Sequence, residues 1–364
     1  MEADVVDHRL KMYEELTCVN GIPGYEEPVR KVMRKYLEPL SNEIITDNLG
    51  SIAGVKVGKA GGPRIMVAGH LDEVGWMVTQ ITEKGFLKIQ SVGGWWSQVM
   101  LAQRVKVITR KGELMGVVGS KPPHILTPEE RNKVVQIKDM FIDIGAESKE
   151  QAQEWGVRPG DAVVPHCDFH VMPNPKVLMN KAWDNRAGCA TAIMVLEELK
   201  DQAHDNVVYA VGNVQEEVGL RGAVTMSNTI EPDIAIALDV GLATDVPGGG
   251  SEVEGKMGGG PLVLIFDASM VPHQGLRNLV IDTAEELKIP IQFQSLAGGG
   301  TDAGRMHIWG RGVPSIAIGF ATRYIHSHAA LINRDDMENA ARLVAAVIKK
   351  LDAQTVAQLK ANTL

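Results

Sequence analysis

The sequence predicts an α/β protein in which helices cover both faces of a mixed β-sheet, with a small β-barrel domain inserted into it. Over residues 1–73 and 172–364, short segments of strand length alternate with helical periodicities. These strand segments are apolar on both sides, as in covered sheets. Over residues 74–171 the pattern changes to short β-type segments separated by glycines, which is typical of a small barrel or sandwich.

The first part of the α/β domain predicts two helices and three strands. One helix is expected from about Asp7 to Leu16. A second helix follows the turn at Pro23-Gly24, with Glu26-Glu27-Pro28 as its acidic start. Its apolar residues keep helical spacing: Val29, Val32, Met33, Tyr36, Leu37 and Leu40. Strands are expected near residues 44–46, 52–57 and 65–68.

Six short β-type segments fill the inserted domain. They lie at residues 76–81, 86–92, 104–109, 114–119, 140–145 and 161–164. Only the short polar stretch around residues 147–155 has a helical pattern. We therefore place the boundaries of the inserted β domain at residues 74–171.

Strands and helices alternate again after Pro173. Residues 187–199 form a nearly uncharged helix that should be buried between layers. Strands are expected at 207–213, 234–238, 261–267 and 289–293, and helices around 219–228 and 274–287. The last helix opens with Asp335-Asp336 and ends with Lys349-Lys350, as the helix dipole favours. The tail, residues 353–364, is expected to be a frayed extension.

Composition excludes several classes of protein. The 364 residues are 45% hydrophobic and 23% charged, which is ordinary globular material. A net charge of −8 argues against a nucleic-acid surface. The three cysteines form no C-x-x-C pair, the N-terminal stretch lacks the apolar core of a signal peptide, and the longest uncharged helical run is too short for a bilayer. We expect a cytoplasmic protein with no nucleic-acid or membrane partner.

Polar residues follow the predicted strands at their carboxyl ends, where open α/β sheets bind ligands. Residues 64–69 run into His70-Leu71-Asp72-Glu73, and residues 207–213 run into Glu216-Glu217. Residues 234–238 run into Asp239, and residues 314–319 lead to His326. A fifth segment places Asp184 just before a helix. This set has three carboxylates and two imidazoles: His70, Asp184, Glu217, Asp239 and His326. One catalytic zinc takes three protein ligands, so the set suits two metals that share a bridging carboxylate.

Each of these residues also has a simpler interpretation. Glu216-Glu217 could be a solvated pair at a strand end, although on an extended chain one side chain could bind metal while the other moves protons. Asp184 could cap the following helix. Asp239 could be a buried strand-end carboxylate. His326 and His328 would face the same side of a strand and compete for one ligand position, for which we favour His326.

Three further segments give weaker signals. His166-Cys167-x-x-His170 lacks the closed ligand set of a structural zinc site, so a chain crossing between domains is favoured. Residues 298–302 lack the Lys of a phosphate loop and are expected to form a turn that lines the active-site cleft. The roles of Thr301 and Asp302 stay open. His124 lies in an expected exposed loop, just before a helix start in TPEE.

The sequence resembles the TET aminopeptidases, a family of dinuclear-metal peptidases that includes glutamyl and deblocking aminopeptidases. Seven segments carry the resemblance in the order of the family: AGHLDEVGW (68–76), KPPHILTPEE (121–130), KAWDNRAG (181–188), QEEVGLRGA (215–223), ALDVG (237–241), GGGTDAG (298–304) and TRYIHSHA (322–329). They span most of the chain, and we find no departure from the family pattern at the positions below.

The resemblance implies a role for each matching residue. His70, Asp184 and Asp239 would bind one metal, and Asp184, Glu217 and His326 the other, so that Asp184 bridges them. Glu216 matches the general base. Asp72 matches the acid that orients His70. The insertion at residues 74–171 would be a dimerisation domain, with dimers assembled into a tetrahedral dodecamer.

The sequence therefore predicts a metalloaminopeptidase that removes amino-terminal residues from short peptides. It would use water activated by two divalent ions, with Zn²⁺ favoured and Co²⁺ or Mn²⁺ also suited to these ligands. A dinuclear carboxypeptidase or N-acyl amino-acid deacylase is the alternative. Such an enzyme would need a cation to capture a substrate carboxylate, and Arg221 or Arg323 could supply it.

Overall fold

An eight-stranded mixed sheet is the centre of the α/β domain in the structure, a computed structural model that describes residues 7–249 and 255–362. The strands in chain order are β1 (Glu43–Thr46), β2 (Ile52–Val57), β3 (Arg64–His70), β4 (Gly75–Ile81), β5 (Leu87–Val92), β6 (Arg104–Thr109), β7 (Gly112–Gly119), β8 (Phe141–Asp143), β9 (Ala162–Pro165), β10 (His170–Val171), β11 (Val177–Asn180), β12 (Val207–Asn213), β13 (Ile234–Leu242), β14 (Leu262–Phe266), β15 (Gln292–Ser295), β16 (Ser315–Thr322) and β17 (Ala330–Asn333). The helices are α1 (His8–Cys18), α2 (Glu27–Leu37), α3 (Pro128–Arg131), α4 (Lys149–Glu154), α5 (Trp183–Glu198), α6 (Arg221–Ile230), α7 (Gln274–Leu287), α8 (Ala303–Met306), α9 (Arg334–Lys350) and α10 (Ala353–Lys360).

The strand order of the main sheet is β1-β2-β12-β3-β13-β16-β14-β15. The central strands β12, β3, β13 and β16 are parallel, whereas β2 and β14 pair antiparallel to them. Successive side chains of β3 enter different apolar clusters, as the two-residue period of a strand requires. Ile65 and Val67 pack in a cluster with residues of α1, α2, α5, α7 and α9. Met66 and Ala68 pack in a cluster with residues of α6 and α8. The predicted mixed sheet with helices on both faces is confirmed.

The inserted segments form a closed barrel with the strand order β4-β5-β8-β7-β6-β9. Each of the six predicted β segments overlaps one of its strands. Its interior is apolar, with Trp76, Leu87, Val105 and Ile142 buried. The predicted barrel is therefore confirmed, while the boundaries at residues 74–171 stay a prediction. A separate three-stranded sheet, β10-β11-β17, lies outside both.

The C-terminal tail differs from our expectation of a frayed extension. Residues 353–360 form α10, whose first turn is capped by Asp352 accepting from the Thr355 N–H at 2.7 Å. Val356 and Leu359 are buried in the main apolar cluster. Because the two residues are three apart, they lie on one face of the helix, and packing of that face fixes a segment too short to be stable alone.

All three cysteines are free thiols: Cys18, Cys167 and Cys189. Within residues 7–249 and 255–362, none of the helices has the length and apolar character needed to cross a bilayer.

Candidate active site

Parallel strands bring the predicted residues to one edge of the sheet. His70, the last residue of β3, lies beside Asn213, the last residue of β12. On the other side of β3, Ala68 pairs with Ala237 of β13, so that Asp239 lies level with His70. Since these strands run in the same direction, their carboxyl ends share one edge. The chain then needs only a few residues beyond Asn213 to reach Glu216.

Asp184 lies between two histidines, and each of its carboxylate oxygens faces a different one. Oδ1 is 3.2 Å from Nε2 of His70, and Oδ2 is 3.1 Å from Nε2 of His326. Oδ1 of Asp239 is 3.9 Å from Nε2 of His70, and Oε1 of Glu217 is 3.3 Å from Nε2 of His326. The structure thus brings all five candidate ligands together.

The helix cap that could have occupied Asp184 is provided by its neighbour. Oδ1 of Asn185 accepts from the Gly188 N–H at 2.8 Å, and its Nδ2 donates to the Leu238 carbonyl at 2.8 Å. Asp184 and Asn185 have non-helical backbone angles at the start of α5. The Asp184 carboxylate is therefore free to face the two histidines.

Glu216 and Glu217 lie in a turn, which corrects our expectation of an extended segment. Strand β12 ends at Asn213, and Gln215 has a positive φ of 56°. Both glutamates face the cluster rather than opposite sides. Oε2 of Glu216 is 3.7 Å from Nε2 of His70, while Glu217 faces His326. The two glutamates therefore differ in which histidine each one lies near. They do not differ through the alternation of side chains along a strand.

Two buried carboxylates hold this turn through its backbone. Asp72 accepts from the Glu216 N–H through Oδ1 and from the Glu217 N–H through Oδ2, both at 3.0 Å. Glu26 accepts from the Gln215 N–H at 3.0 Å. Three consecutive N–H groups are thus held by acids from two other segments. Asp72 also meets His70, whose Nδ1 is 3.0 Å from the Asp72 carbonyl and 3.5 Å from its carboxylate.

Glu26 is a residue that sequence reasoning missed, because its position before α2 indicated an exposed helix start. It is buried instead, and burial together with the nearby Asp72 charge raises its pKa to about 7.

A buried ion cluster beside the site was missed for the same reason. Lys181 Nζ lies 2.6 Å and 2.7 Å from the two oxygens of Glu73, and Arg186 Nη2 lies 3.5 Å from Glu73. No local pattern distinguishes such charges from surface ones.

The electrostatics of the cluster reflect many acids and few bases in a buried space. Burial acts to lower the pKa of His326, but the facing carboxylates of Asp184 and Glu217 outweigh it and raise that pKa to about 11. Burial raises the pKa of Glu216 well above its ordinary range, against the opposing effect of His70. The pKa of Asp239 is raised well above its ordinary range by burial, again against the opposing effect of His70. Bound cations would remove the need for these protons.

The donor atoms lie close enough to share metal ions. Among the described residues, two groups of at least three potential ligands have donor atoms within 4.8 Å of one another, and both are here. One contains His70, Asp184 and Glu217, and the other contains His70, Glu216 and Asp239. By contrast, the closest approach of His166 to an acid is 3.9 Å to Asp168, and His124 is exposed.

A cavity of about 540 Å³ opens over the cluster. That volume is in the range of small-ligand sites. Residues 298–301 line it, as expected for this segment, whereas Asp302 does not. Thr301 is 5% exposed, and its hydroxyl has no hydrogen-bond partner. Asp302 lies behind the cavity wall, where Oδ2 accepts from Asn213 Nδ2 at 2.7 Å.

His326 and His328 do not share one side of a strand, so that expectation was wrong. Residues 323–329 lie between β16 and β17, and Tyr324 and His326 have positive φ values of 63° and 53°. This irregular path turns His326 toward Asp184. The ring of His328 is buried beside Trp76 and Trp95, with ring centroids 5.9 Å and 5.6 Å away.

His328 is buried in its neutral form, and we expect this to lower the free energy of unfolding at acidic pH. Burial lowers its pKa from 6.5 to about 4, since the imidazolium is disfavoured there. Below pH 6.5 the unfolded chain binds a proton at this residue, whereas the folded protein does so only near pH 4. Stability therefore falls as the pH falls through that window, by about 2 kcal/mol at pH 5.

The variant His328→Phe tests this prediction because it keeps an aromatic ring and removes the titration. Between pH 7.5 and pH 5, its Tm relative to the wild type should rise by roughly 2–5 °C. The comparison at pH 7.5 corrects for any change in packing. A Tm difference that is the same at both pH values would contradict the prediction.

Comparison with known proteins is consistent with this geometry. Residues 50–343 match the family described as M42 glutamyl aminopeptidase. The glutamyl aminopeptidase of Lactococcus lactis subsp. cremoris is 37% identical over 352 residues, which are 95% of this chain and 97% of that protein.

Two solved structures extend the similarity to the fold. The TET aminopeptidase of the marine sediment archaeon Thaumarchaeota archaeon SCGC AB-539-E09 has a TM-score of 0.94 at 46% identity, covering 97% of this chain and 99% of that one. The TET1 peptidase of Pyrococcus horikoshii, which can assemble into a tetrahedron or a large octahedral shell, has a TM-score of 0.83 at 32% identity, covering 94% and 100%. The resemblance to the TET aminopeptidases is thereby confirmed, and the chain is a peptidase that belongs to the M42 family.

Proposed function

We propose that this peptidase is a metal-dependent aminopeptidase that removes amino-terminal residues from short peptides, with two divalent ions and Glu216 as general base. His70, Asp184 and Asp239 would hold one ion, and Asp184, Glu217 and His326 would hold the other. Zn²⁺ is the favoured ion, and Co²⁺ or Mn²⁺ suits the same imidazole and carboxylate ligands.

The position of Asp184 is the observation that carries the proposal. Its two oxygens lie 3.2 Å and 3.1 Å from nitrogens of different histidines. Its two oxygens thus face ligand-type nitrogens of two different residues. Ions placed beside the two histidines would share Asp184 as a bridging ligand.

The donor set also fits divalent cations in charge. Four carboxylates lie beside the two imidazoles, with Glu216 and Asp239 buried and Asp184 and Glu217 half-buried. Oε1 of Glu217 has no hydrogen-bond partner. Buried carboxylates without compensation are costly, and cations compensate them. Ions bound here would polarise the scissile carbonyl and lower the pKa of a water molecule.

The protein groups then divide the proton work and the positioning. Glu216 accepts the proton of the attacking water and returns it to the nitrogen of the leaving amine. Asp72 fixes the backbone of both glutamates, so that Glu216 and Glu217 keep their separate histidine neighbours.

A carboxypeptidase or deacylase would need a free cation in the cavity, and neither candidate arginine provides one. Arg323 forms two contacts with Asp245, at 3.0 Å and 2.5 Å. Arg221 donates to Oε1 of Gln215 at 3.1 Å and does not line the cavity. Among the described lining residues, the only basic side chains are those of His70 and His326.

A substrate comparison tests the proposal. Metal-free protein is reconstituted with Zn²⁺, Co²⁺ or Mn²⁺ and given leucyl peptides with a free or an acetylated amino terminus. The free peptides should lose their amino-terminal residue, and acetylation should slow hydrolysis at least about 100-fold because it removes the free amine. Equal rates on acetylated peptides, or release of the carboxyl-terminal residue first, would favour the rival enzymes.

Self-association through the barrel is the second part of the proposal. The barrel and its loops expose large apolar side chains: Trp96 at 61%, Met115 at 49%, Ile125 at 65% and Val134 at 48%. Exposed apolar patches are typical of interaction sites. The TET1 peptidase of Pyrococcus horikoshii can assemble into a tetrahedron or a large octahedral shell. We extend the tetrahedral form to this chain, with dimers formed through residues 74–171.

Light scattering should therefore find a species of about twelve chains. The double variant Ile125→Asp and Val134→Asp should lower the mass, because charges would be buried at the interface. In the control Val224→Asp, the same charge replaces a half-exposed valine of α6, and the mass should not change. A wild-type protein that is monomeric and fully active would overturn the assembly, and an unchanged mass of the double variant would overturn the barrel interface.

A further inference from the structure

Outside the ligand cluster, the wall of the active-site cavity carries no charged side chain among the described residues. Its largest side chains are Leu220, Leu242, Leu296 and Ile325. The remaining residues of this part are glycines and small residues, with hydroxyls only at Ser269 and Thr301. If the ligand cluster holds the reacting peptide bond, the side chain of the amino-terminal residue must lie against this wall.

A glutamyl side chain would find no cation there among the lining residues that the structure describes. Arg323 is paired with Asp245, and Arg221 donates to Gln215. Lys181 is buried against Glu73 and does not line the cavity. A substrate carboxylate would therefore lose water without gaining a charged partner, which disfavours binding.

Within residues 7–249 and 255–362, a lysyl side chain would find no free anion away from the cluster. Asp302 and Asp267 lie beneath the wall, but both are buried and neither lines the cavity. Asp302 accepts from Asn213 Nδ2 at 2.7 Å. The second carboxylate, Asp267, is engaged in a turn. Its Oδ1 accepts from the N–H of Ser269 at 2.6 Å, from the Ser269 hydroxyl at 2.7 Å and from the Met270 N–H at 2.7 Å. This carboxylate builds the turn at residues 267–270 rather than a subsite.

We infer that the side-chain subsite takes an uncharged, apolar amino-terminal residue such as leucine or methionine, and not the glutamyl residue of the family description. The inference rests on the proposed aminopeptidase function. Burial against this wall favours the binding of apolar side chains, because they leave water. It disfavours the binding of Glu and Lys, because their charges would lose water without gaining a partner.

A panel of aminoacyl-anilide substrates on the metal-loaded protein tests the inference. We expect kcat/KM for the leucyl and methionyl substrates to exceed that for the glutamyl and lysyl substrates at least about ten-fold. A glutamyl or lysyl substrate that is equal or better would overturn the inference and leave the aminopeptidase function intact. No hydrolysis of any free-amine substrate with any of the three metals would overturn both.

The variant Leu242→Lys links the preference to this wall. The side chain of Leu242 is 42% exposed. Its backbone N–H donates to Oε1 of Gln294, and its carbonyl accepts from Nε2 of Gln294. A cation here should raise the ratio of glutamyl to leucyl kcat/KM at least about ten-fold. In the matched control Val224→Lys, the lysine lies on α6 outside the cavity, so that ratio should not change. An unchanged ratio in Leu242→Lys, or an equal change in the control, would overturn the assignment of the subsite.

Discussion

Glu216→Gln is expected to lose roughly 10²–10⁴ in kcat while it retains its metal ions and its assembly. Glutamine keeps the shape of glutamate and can donate and accept hydrogen bonds, but it cannot take the proton of the attacking water. The N–H of residue 216 would still be held by Asp72, so the turn should not move. Added metal should restore no activity, because no ligand has been removed.

Glu217→Gln is the matched variant one residue away and should fail differently. Its carboxylate faces His326 at 3.3 Å, so the substitution removes an anionic ligand and metal affinity should fall first. Excess metal should then restore part of the activity. The two variants are compared by titrating each with Zn²⁺ while following hydrolysis and by measuring bound metal after dialysis.

The structure gives this comparison a definite way to fail. Oε2 of Glu216 is only 3.7 Å from Nε2 of His70, and Glu216 shares a potential ligand group with Asp239. Glu216 is therefore close enough to be a ligand itself. If excess metal rescues Glu216→Gln, and Glu217→Gln is inactive with both ions bound, the two roles must be exchanged.

Features of this architecture that depend on local interactions could be predicted from the sequence. Strands β3, β12, β13 and β16 are apolar runs whose ends are marked by polar residues, so their shared edge could be expected from the rule for parallel sheets. The barrel was predictable from six short segments because each glycine-bounded segment became one strand. Both inferences use patterns of ten residues or fewer.

Interactions between distant segments were not predictable in this way. The turn at Gln215 depends on two acids that are distant along the chain. Glu26 bonds to Gln215 from 189 residues away, and Asp72 bonds to Glu216 from 144 residues away. Similarly, His328 is fixed by tryptophans of the barrel. A helix-start acid and a strand histidine were reasonable local interpretations, and tertiary packing overrode both.

Asp184→Ala is expected to remove both ions, whereas each histidine variant should remove one. The reason is the placement of its two oxygens against His70 and His326. His70→Ala and His326→Ala should each lower the bound metal after dialysis from about two ions per chain towards one. Asp184→Ala should bring it close to zero and abolish hydrolysis.

The control Asp302→Asn separates bridging from a general loss of buried negative charge. Asp302 is buried near the cluster, but its carboxylate accepts from Asn213 and faces neither histidine within 4 Å. This variant should keep both ions. If Asp184→Ala retained one ion at undiminished affinity, Asp184 would serve a single ion, and the two histidines would belong to sites that are not bridged. If His328→Ala lost metal and His326→Ala did not, the choice of His326 as the ligand would be wrong, and the buried histidine beside Trp76 and Trp95 would have to leave these contacts to bind.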